Sequence, residues 1–203
     1  MEFKDGTNVY TVEGKKAGDL HRVVIDPANQ EVTHIVIQKG LLFKVDKVIP
    51  MEKVASASQE RIDLISSVEE LEEMSPLEVE EYTERSEEPG VAQSYDPLTG
   101  RMLGGLPSDH PVISEIKRTI PDDLVAMKEG ARVISADDVH VGNVEHVFVD
   151  EDSGKITHFI IAQGPVFVTR KPLPIEWVKL ITDDEVYLTV ESRQLEELPV
   201  MEE

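Results

Sequence analysis

The chain has 203 residues, of which 20 are basic and 41 acidic, and its formal net charge is −21 at pH 7. A surface of this sign repels phosphate backbones and anionic lipid headgroups, which argues against a nucleic-acid partner and against an anionic membrane surface. The chain contains no cysteine, no apolar stretch long enough to cross a bilayer, and no signal-peptide pattern after Met1. We therefore expect a soluble, cytoplasmic protein without membrane insertion.

The sequence repeats itself at a constant offset of 124 residues. Residues 9–64 align with residues 133–188 without a gap, and 14 of the 56 aligned pairs are identical. The identical residues are mostly glycines, turn residues and apolar residues. Such a repeat predicts two copies of one structural unit. Each copy has only about 65 residues, near the lower limit for an unaided hydrophobic core, so that a close-packed barrel or packing between copies must supply the stability.

The first copy contains short, β-branched segments separated by turns. In chain order, the predicted strands are residues 9–12, 18–26, 32–38, 42–43, 47–50 and 61–65, with one helical turn at residues 51–54. The second copy repeats this order, with a tight turn at residues 151–154. Five or six short strands with close turns predict a small antiparallel β-barrel or a strongly coiled sheet in each copy.

The segment between the copies is acidic. Residues 68–124 carry 4 basic and 15 acidic side chains, whereas residues 1–67 carry 9 and 10. Two capping-box patterns, at residues 67–70 and 75–78, predict short helices up to about Arg85. Residues 112–118 fit a short helix or a strand equally well, and residues 192–198 predict a short amphipathic helical turn. The predicted organisation is mainly β, with a first barrel at 1–67, an acidic, partly helical linker at 68–124, a second barrel at 125–191 and a tail at 192–203.

The order of motifs in both copies resembles the PRC-barrel family. The pattern consists of a glycine (Gly18, Gly142), a strand that ends in aspartate (23–26, 147–150), a strand with threonine and histidine (32–37, 156–161) and a strand that ends in proline (47–50, 171–174). This resemblance implies six-stranded β-barrels that serve as adaptors or tune a partner, and it implies no catalytic residue. The chain lacks the transmembrane helix of photosynthetic reaction-centre H subunits and the additional domain of the related ribosome-maturation factor.

Two polar pairs recur in the copies and are candidates for chemistry. His34 and His158 could accept protons or bind metal, but a partly buried strand histidine with a structural hydrogen bond is the simpler interpretation. Asp26 and Asp150 could form an acid–base pair, but a turn aspartate that accepts backbone hydrogen bonds explains them more simply. Gly40 and Gly164 are expected to supply a positive φ or close packing.

The strongest candidates for partner binding are positions where the copies differ. The first copy has Lys39, Lys44, Lys47 and Lys53 where the second has Gln163, Val168, Lys171 and Trp177. Phe43 and Phe167 occupy matched positions at a hairpin tip, where exposed apolar residues would mark an interaction surface. Trp177 is either a core residue or an interface anchor.

These observations favour a non-enzymatic adaptor or regulatory protein that binds a protein partner of unknown identity. The sequence assigns no catalytic, cofactor-binding or metal-binding residue. A metal sensor that uses the acidic surface, and a hydrolase that uses an aspartate–histidine pair, are the alternatives. A homodimer and an intramolecular pairing of the two barrels both remain open.

Overall fold

The computed structural model describes residues 1–39, 45–83, 113–128, 130–164 and 168–201. The strands of the first half are β1 (Glu2–Lys4), β2 (Asn8–Tyr10), β3 (Lys16–Asp26), β4 (Glu31–Lys39), β5 (Val45–Pro50), β6 (Val54–Ala57), β7 (Arg61–Leu64) and β8 (Glu78–Thr83). Those of the second half are β9 (Ile113–Arg118), β10 (Val125–Lys128), β11 (Arg132–Ile134), β12 (His140–Val149), β13 (Ile156–Gln163), β14 (Thr169–Pro174), β15 (Val178–Ile181) and β16 (Glu185–Leu188).

The two copies have the same sheet topology, as the repeat predicts. The strand order is β5-β4-β3-β2-β7-β6 in copy one and β14-β13-β12-β11-β16-β15 in copy two. The prediction of a small antiparallel barrel or a strongly coiled sheet in each copy is confirmed in its β class, and the structure corrects two details. Each hydrogen-bonded path is open, and β2 pairs with β7, and β11 with β16, in parallel. The strands of each parallel pair are far apart in the chain, so that residues 11–60 and 135–184 supply the long connection that a parallel pair needs.

The copies exchange their first strands. The strand β1 precedes copy one but pairs with β12 of copy two, and β10 precedes copy two but pairs with β3 of copy one. Phe3 lies opposite Val147, and Met127 lies opposite Val23. The two pairs are equivalent, because the offset of 124 residues relates Phe3 to Met127 and Val23 to Val147. The sequence left open a homodimer and an intramolecular pairing of the two barrels. This strand exchange is an intramolecular pairing.

The strand exchange produces one hydrophobic core that both copies share. Its buried side chains include Phe3, Val9, Ile35, Ile49 and Ile62 from the first half of the chain, together with Met127, Val133, Phe159, Leu173 and Val186 from the second. Pooling the apolar surface of two small units into one core overcomes the size limit that each copy would face alone.

A short helix follows the last strand of each copy. The first, α1 (Val68–Glu73), begins at Ser67 with the predicted capping box, in which the Ser67 hydroxyl accepts from the Glu70 amide and the Glu70 carboxylate accepts from the Ser67 amide. The second, α2 (Ser192–Glu196), confirms the predicted helical turn at the tail. The helical turn predicted at residues 51–54 is also confirmed, as a single 3-10 turn.

The second helix predicted in the linker is wrong. Leu77 is buried and its amide donates to the carbonyl of Asp46 at 3.0 Å, which draws residues 75–77 along the edge of β5. The strand β8 then begins at Glu78 and pairs with β9 in an antiparallel hairpin, which forms a compact unit of its own. Residues 113–118, for which helix and strand were both predicted, therefore form a strand.

A second, smaller core covers the outer face of the copy-one sheet. Val24, Val36, Val48 and Ala126 lie on this face and are buried beneath Leu77 and Ile120, with Leu124 partly buried beside them. The covering residues come from the two ends of the segment that joins the copies. The segment thus contributes packing to copy one as well as a connection.

Candidate interaction surfaces

Lys47 and Lys171 occupy the same position in the two copies and hold the same contact. The Lys47 ammonium donates to the carbonyl of Glu72 at 3.0 Å and to that of Met74, at the end of α1. The Lys171 ammonium donates to the carbonyls of Leu195 (2.7 Å) and Glu196 (3.2 Å), at the end of α2. A cation at a helix C-terminus satisfies carbonyls that have no partner within the helix. Lys47, a predicted partner-binding residue, is thus engaged in the fold.

Lys53 and Trp177 also occupy matched positions, each at the end of a 3-10 turn. The carbonyl of Lys53 accepts from the Ile65 amide, and the carbonyl of Trp177 accepts from the Thr189 amide and hydroxyl. Both side chains are half-buried. Trp177 packs against the shared core, so that one face of the indole belongs to the interior while part of the ring stays accessible.

Two exposed apolar residues, Ile65 and Val12, are connected to Lys53 by backbone hydrogen bonds between neighbouring segments. Ile65 is 53% exposed and Val12 is 65% exposed. The Ile65 amide donates to the Lys53 carbonyl, and the Val12 amide donates to the carbonyl of Ser66. We call Val12, Lys53 and Ile65 the copy-one end patch. Copy two has Ala136, Trp177 and Thr189 at these positions. The unequal pairs Val12/Ala136 and Ile65/Thr189 are the sequence signal that could have identified this patch.

The other predicted partner-binding residues end or follow the strands β4 and β13 in the sequence. Lys44, Phe43 and Phe167 lie outside the described residues, and Lys39 is the last residue of β4. Gly164, the residue after β13, has a φ of +97°, which confirms the prediction of a positive φ there. Gly40 lies outside the described residues. The binding role of these residues stays a prediction.

The histidines and aspartates that the copies share serve the fold. His34 and His158 are half-buried strand residues, and each places Nδ1 3.0 Å from the hydroxyl of the preceding threonine. Burial lowers the pKa of both rings, and Glu52 and Glu2 respectively oppose this effect. His158 also stacks on Phe148, with ring centroids 4.4 Å apart. This geometry agrees with the structural interpretation of the histidines.

Asp26 and Asp150 are turn aspartates in the structure. Asp26 Oδ1 accepts from the amides of Ala28 (2.9 Å) and Asn29 (3.2 Å), and Asp150 Oδ1 accepts from the amide and the hydroxyl of Ser153. The pKa of Asp26 is lowered chiefly by the hydrogen bond from the Asn29 side chain, and that of Asp150 by the Ser153 side chain. Within the described residues, no group of three or more histidines, aspartates and glutamates could hold a metal ion.

A cluster of charged side chains lies beside the exchanged strand β1, and sequence patterns did not identify it. His146 is buried, its Nδ1 hydrogen-bonds Glu2, and its Nε2 lies 3.7 Å from Glu145 Oε1. Arg170 donates to both carboxylate oxygens of Glu145, at 2.8 and 3.0 Å, and this pairing is the chief reason that the pKa of Glu145 is lowered. Lys4 Nζ lies 3.8 Å from the same carboxylate.

The charged cluster borders a pocket of about 440 Å³ on the outer face of the copy-two sheet. Phe148, Ile160 and Met201 form its apolar part, and Lys4, His146 and Arg170 form its polar part. The sequence does contain a signal for it, because copy one has His21, Arg22 and Asp46 where copy two has Glu145, His146 and Arg170. Such changes of charge between copies mark surfaces that are not required by the shared fold.

None of the helices in the described part of the chain is long and apolar enough to span a membrane.

Comparison with known proteins agrees with the repeat. No curated protein matches the chain significantly. A family model for the PRC-barrel domain matches residues 5–70 and residues 129–196, which together make up about two thirds of the chain. The two matched regions contain β2 to β7 with the start of α1, and β11 to β16 with α2. The chain therefore belongs to the PRC-barrel family and contains this domain twice.

Proposed function

We propose that the protein is a non-enzymatic adaptor or regulatory protein, which binds a protein partner through surfaces that differ between its two PRC-barrel copies. PRC-barrel domains form a general protein-interaction module family. The contrast between matched positions carries the proposal: the shared Lys47/Lys171 pair holds each helix end to its sheet, whereas the unshared residues Val12 and Ile65 are exposed.

The copy-one end patch is the best-described candidate for a contact with the partner. It combines two exposed aliphatic side chains with a lysine, whereas copy two has a small residue, a hydroxyl and an indole at these places. Aliphatic side chains that expose half or more of their surface gain free energy when a partner covers them. Lys39, Lys44, Phe43, Phe167 and Trp177 remain further proposed contacts.

The absence of an enzymatic role is supported by how the candidate catalytic groups are used. The shared histidines hydrogen-bond their neighbouring threonines, and the shared aspartates close turns. A general base or nucleophile requires a second group held within hydrogen-bond reach for proton transfer. The threonine hydroxyl within reach of each histidine donates to a backbone carbonyl of the neighbouring strand, that of Val24 or Phe148 at 3.3 Å, which favours a structural role.

Affinity capture from the native cell tests the proposal. The wild-type chain should recover a reproducible protein partner, and V12D/I65D should recover much less of it, because two carboxylates would enter an apolar contact. The matched control is V139D/L180D, which changes two exposed apolar residues of copy two (44% and 50% exposed). Failure of the wild type to recover any reproducible partner would contradict the proposal, and equal losses in both variants would contradict the assignment to the copy-one end patch.

A further inference from the structure

A second pocket, of about 280 Å³, lies beside His34 in copy one. Three apolar and three polar side chains are among those that line it: Pro50, Met74 and Ile120, with His34, Ser75 and Thr119. Ile120 is buried, whereas Pro50, Met74 and His34 are half-buried and the two hydroxyl residues are exposed. Apolar walls with a few polar groups are the usual composition of a binding pocket.

The polar groups of the His34 pocket are hydrogen-bond acceptors. The Thr33 hydroxyl donates its one proton to the Val24 carbonyl at 3.3 Å, so that it accepts from Nδ1 of His34 at 3.0 Å. The neutral ring therefore has its proton on Nδ1 and an acceptor lone pair on Nε2, which bonds none of the described residues. The Thr119 hydroxyl donates to the Pro76 carbonyl at 2.6 Å and likewise keeps its acceptor lone pairs. An occupant of the pocket has to supply the donors.

The charge around the His34 pocket favours a cation. Burial lowers the pKa of His34 below its ordinary value of 6.5, and Glu52 opposes this effect. The residues opposite His34 on the neighbouring strands, Val24 and Pro50, are uncharged. Within four positions of the six lining residues named above, the sequence has ten acidic and four basic side chains. One of the four, Lys47, has its ammonium engaged at the end of α1. A positive occupant therefore meets a favourable field.

We propose that this pocket binds an arginine side chain from a basic segment of a partner protein. A guanidinium has five N–H donors and no acceptor, which suits the acceptors of His34 and Thr119. Its aliphatic stem packs against Pro50, Met74 and Ile120. Lysine suits the pocket less well, because its compact ammonium is more strongly hydrated. The proposal rests on the proposed protein-binding function and names the chemistry of one contact.

Copy two supplies matched control positions. His158 holds the same contact with its preceding threonine as His34 does. Glu176 stands at the position of Glu52 under the offset of 124 residues, and both are exposed. The variants H158F and E176Q therefore repeat, away from the pocket, the chemical changes of H34F and E52Q.

A capped pentapeptide, Gly-Gly-Arg-Gly-Gly, titrated into isotope-labelled full-length protein tests the proposal. We expect saturable amide chemical-shift changes at Ser75, Thr119 and Ile120. The same peptide with citrulline, which keeps the shape of arginine but lacks its charge, should bind at least about fivefold more weakly. H34F and E52Q should each weaken binding at least about threefold, whereas H158F and E176Q should leave it unchanged. E52Q alters an exposed side chain and keeps the test valid if H34F does not fold.

The affinity should also fall as the pH is lowered from about 7 to about 5, because a protonated His34 repels the guanidinium and offers no acceptor. This dependence should vanish in H34F. The absence of shift changes at the pocket, equal binding of the citrulline peptide, or equal effects of E52Q and E176Q would overturn the proposal. Partner capture separates the two proposals: a partner that wild type and H34F recover equally contradicts the arginine pocket alone, whereas no partner for the wild type contradicts the protein-binding function.

Discussion

Phe3 lies opposite Val147, so that a side chain at the start of copy one is buried in the sheet of copy two. Met127 lies opposite Val23 in the reciprocal arrangement. The two copies are therefore one folding unit, because neither sheet is complete without a strand that precedes the other copy. This exchange explains how two units near the lower size limit reach a stable core without disulfides.

Removal of the Phe3 side chain should destabilise both copies at once. Phe3 is 1% exposed and contributes to the shared core, so that F3A should lower the free energy of unfolding by about 3–5 kcal/mol. Urea unfolding, monitored both by Trp177 fluorescence, which reports copy two, and by far-ultraviolet circular dichroism, checks this. The control V12A removes a side chain that is 65% exposed and should change stability by less than about 0.5 kcal/mol. Two separate transitions in the wild type would contradict a single shared core.

Lys171 and Lys47 should contribute unequally to the free energy of unfolding. Lys171 is buried, whereas Lys47 is half-buried. K171M leaves the carbonyls of Leu195 and Glu196 away from water without a donor, which should cost about 1–3 kcal/mol. K47M should cost less, because water can reach the carbonyls of Glu72 and Met74 more easily. Urea midpoints of the two variants test the order, and an equal or larger loss in K47M would contradict it.

Gly142 is required both by its backbone conformation and by close packing. Its φ is +144°, and a Cβ atom there would lie 2.6 Å from the carbonyl oxygen of Ala162 in the neighbouring strand. Gly130 has a φ of +68° with no atom within 4 Å of an added Cβ, and it provides the matched control. We expect G130A to cost about 1 kcal/mol for the backbone conformation and G142A to cost clearly more. Thermal unfolding of both variants measures the difference, and equal costs would mean that β12 and β13 can move apart freely.

Asp137 should make stability depend on pH in the acid range. It accepts from the amide and hydroxyl of Ser192 at 2.9 and 2.8 Å. Hydrogen bonds from the side chains of Ser135 and Ser192 lower its pKa from 3.8 to about 2. A lowered folded-state pKa contributes stability that is complete above the unfolded value and is lost as the pH falls through the folded one. The stability advantage of the wild type over D137N should therefore be constant above pH 4 and shrink between pH 4 and pH 2.

Urea midpoints of wild type and D137N at several pH values measure this dependence. An advantage that does not change over the acid range would show that the Ser192 contact does not depend on the charge of Asp137.

The repeated strands were predictable because local sequence determines them. In both copies the β-branched segments, the turn aspartates and the first capping box at Ser67 all fold as their patterns indicate. The strand exchange was not predictable in this way. The strands β1 and β10 have three and four residues and lie outside the aligned range of the repeat, so that neither has a periodicity that could reveal its partner.

The wrong helix in the linker and the unforeseen contact of Lys47 have a common physical cause. The pattern at residues 75–78 matches a capping box, but burial of Leu77 and its backbone bond to Asp46 override this local preference. Lys47 was predicted as a partner-binding residue together with the other lysines of copy one, and its ammonium contacts carbonyls 25 and 27 residues away. Its identity with Lys171 was the signal of a structural role, since the surfaces of the copies otherwise differ.

The exchange of β1 and β10 within one chain is the central claim, and interstrand nuclear Overhauser effects test it most directly. Backbone protons of Phe3 should give effects to Val147, and those of Met127 to Val23, in uniformly labelled protein. In a mixture of labelled and unlabelled chains, an isotope-filtered experiment should show none of them, because both contacts are intramolecular. Absence of the effects between Phe3 and Val147 and between Met127 and Val23, or interchain effects in the mixed sample, would contradict the account.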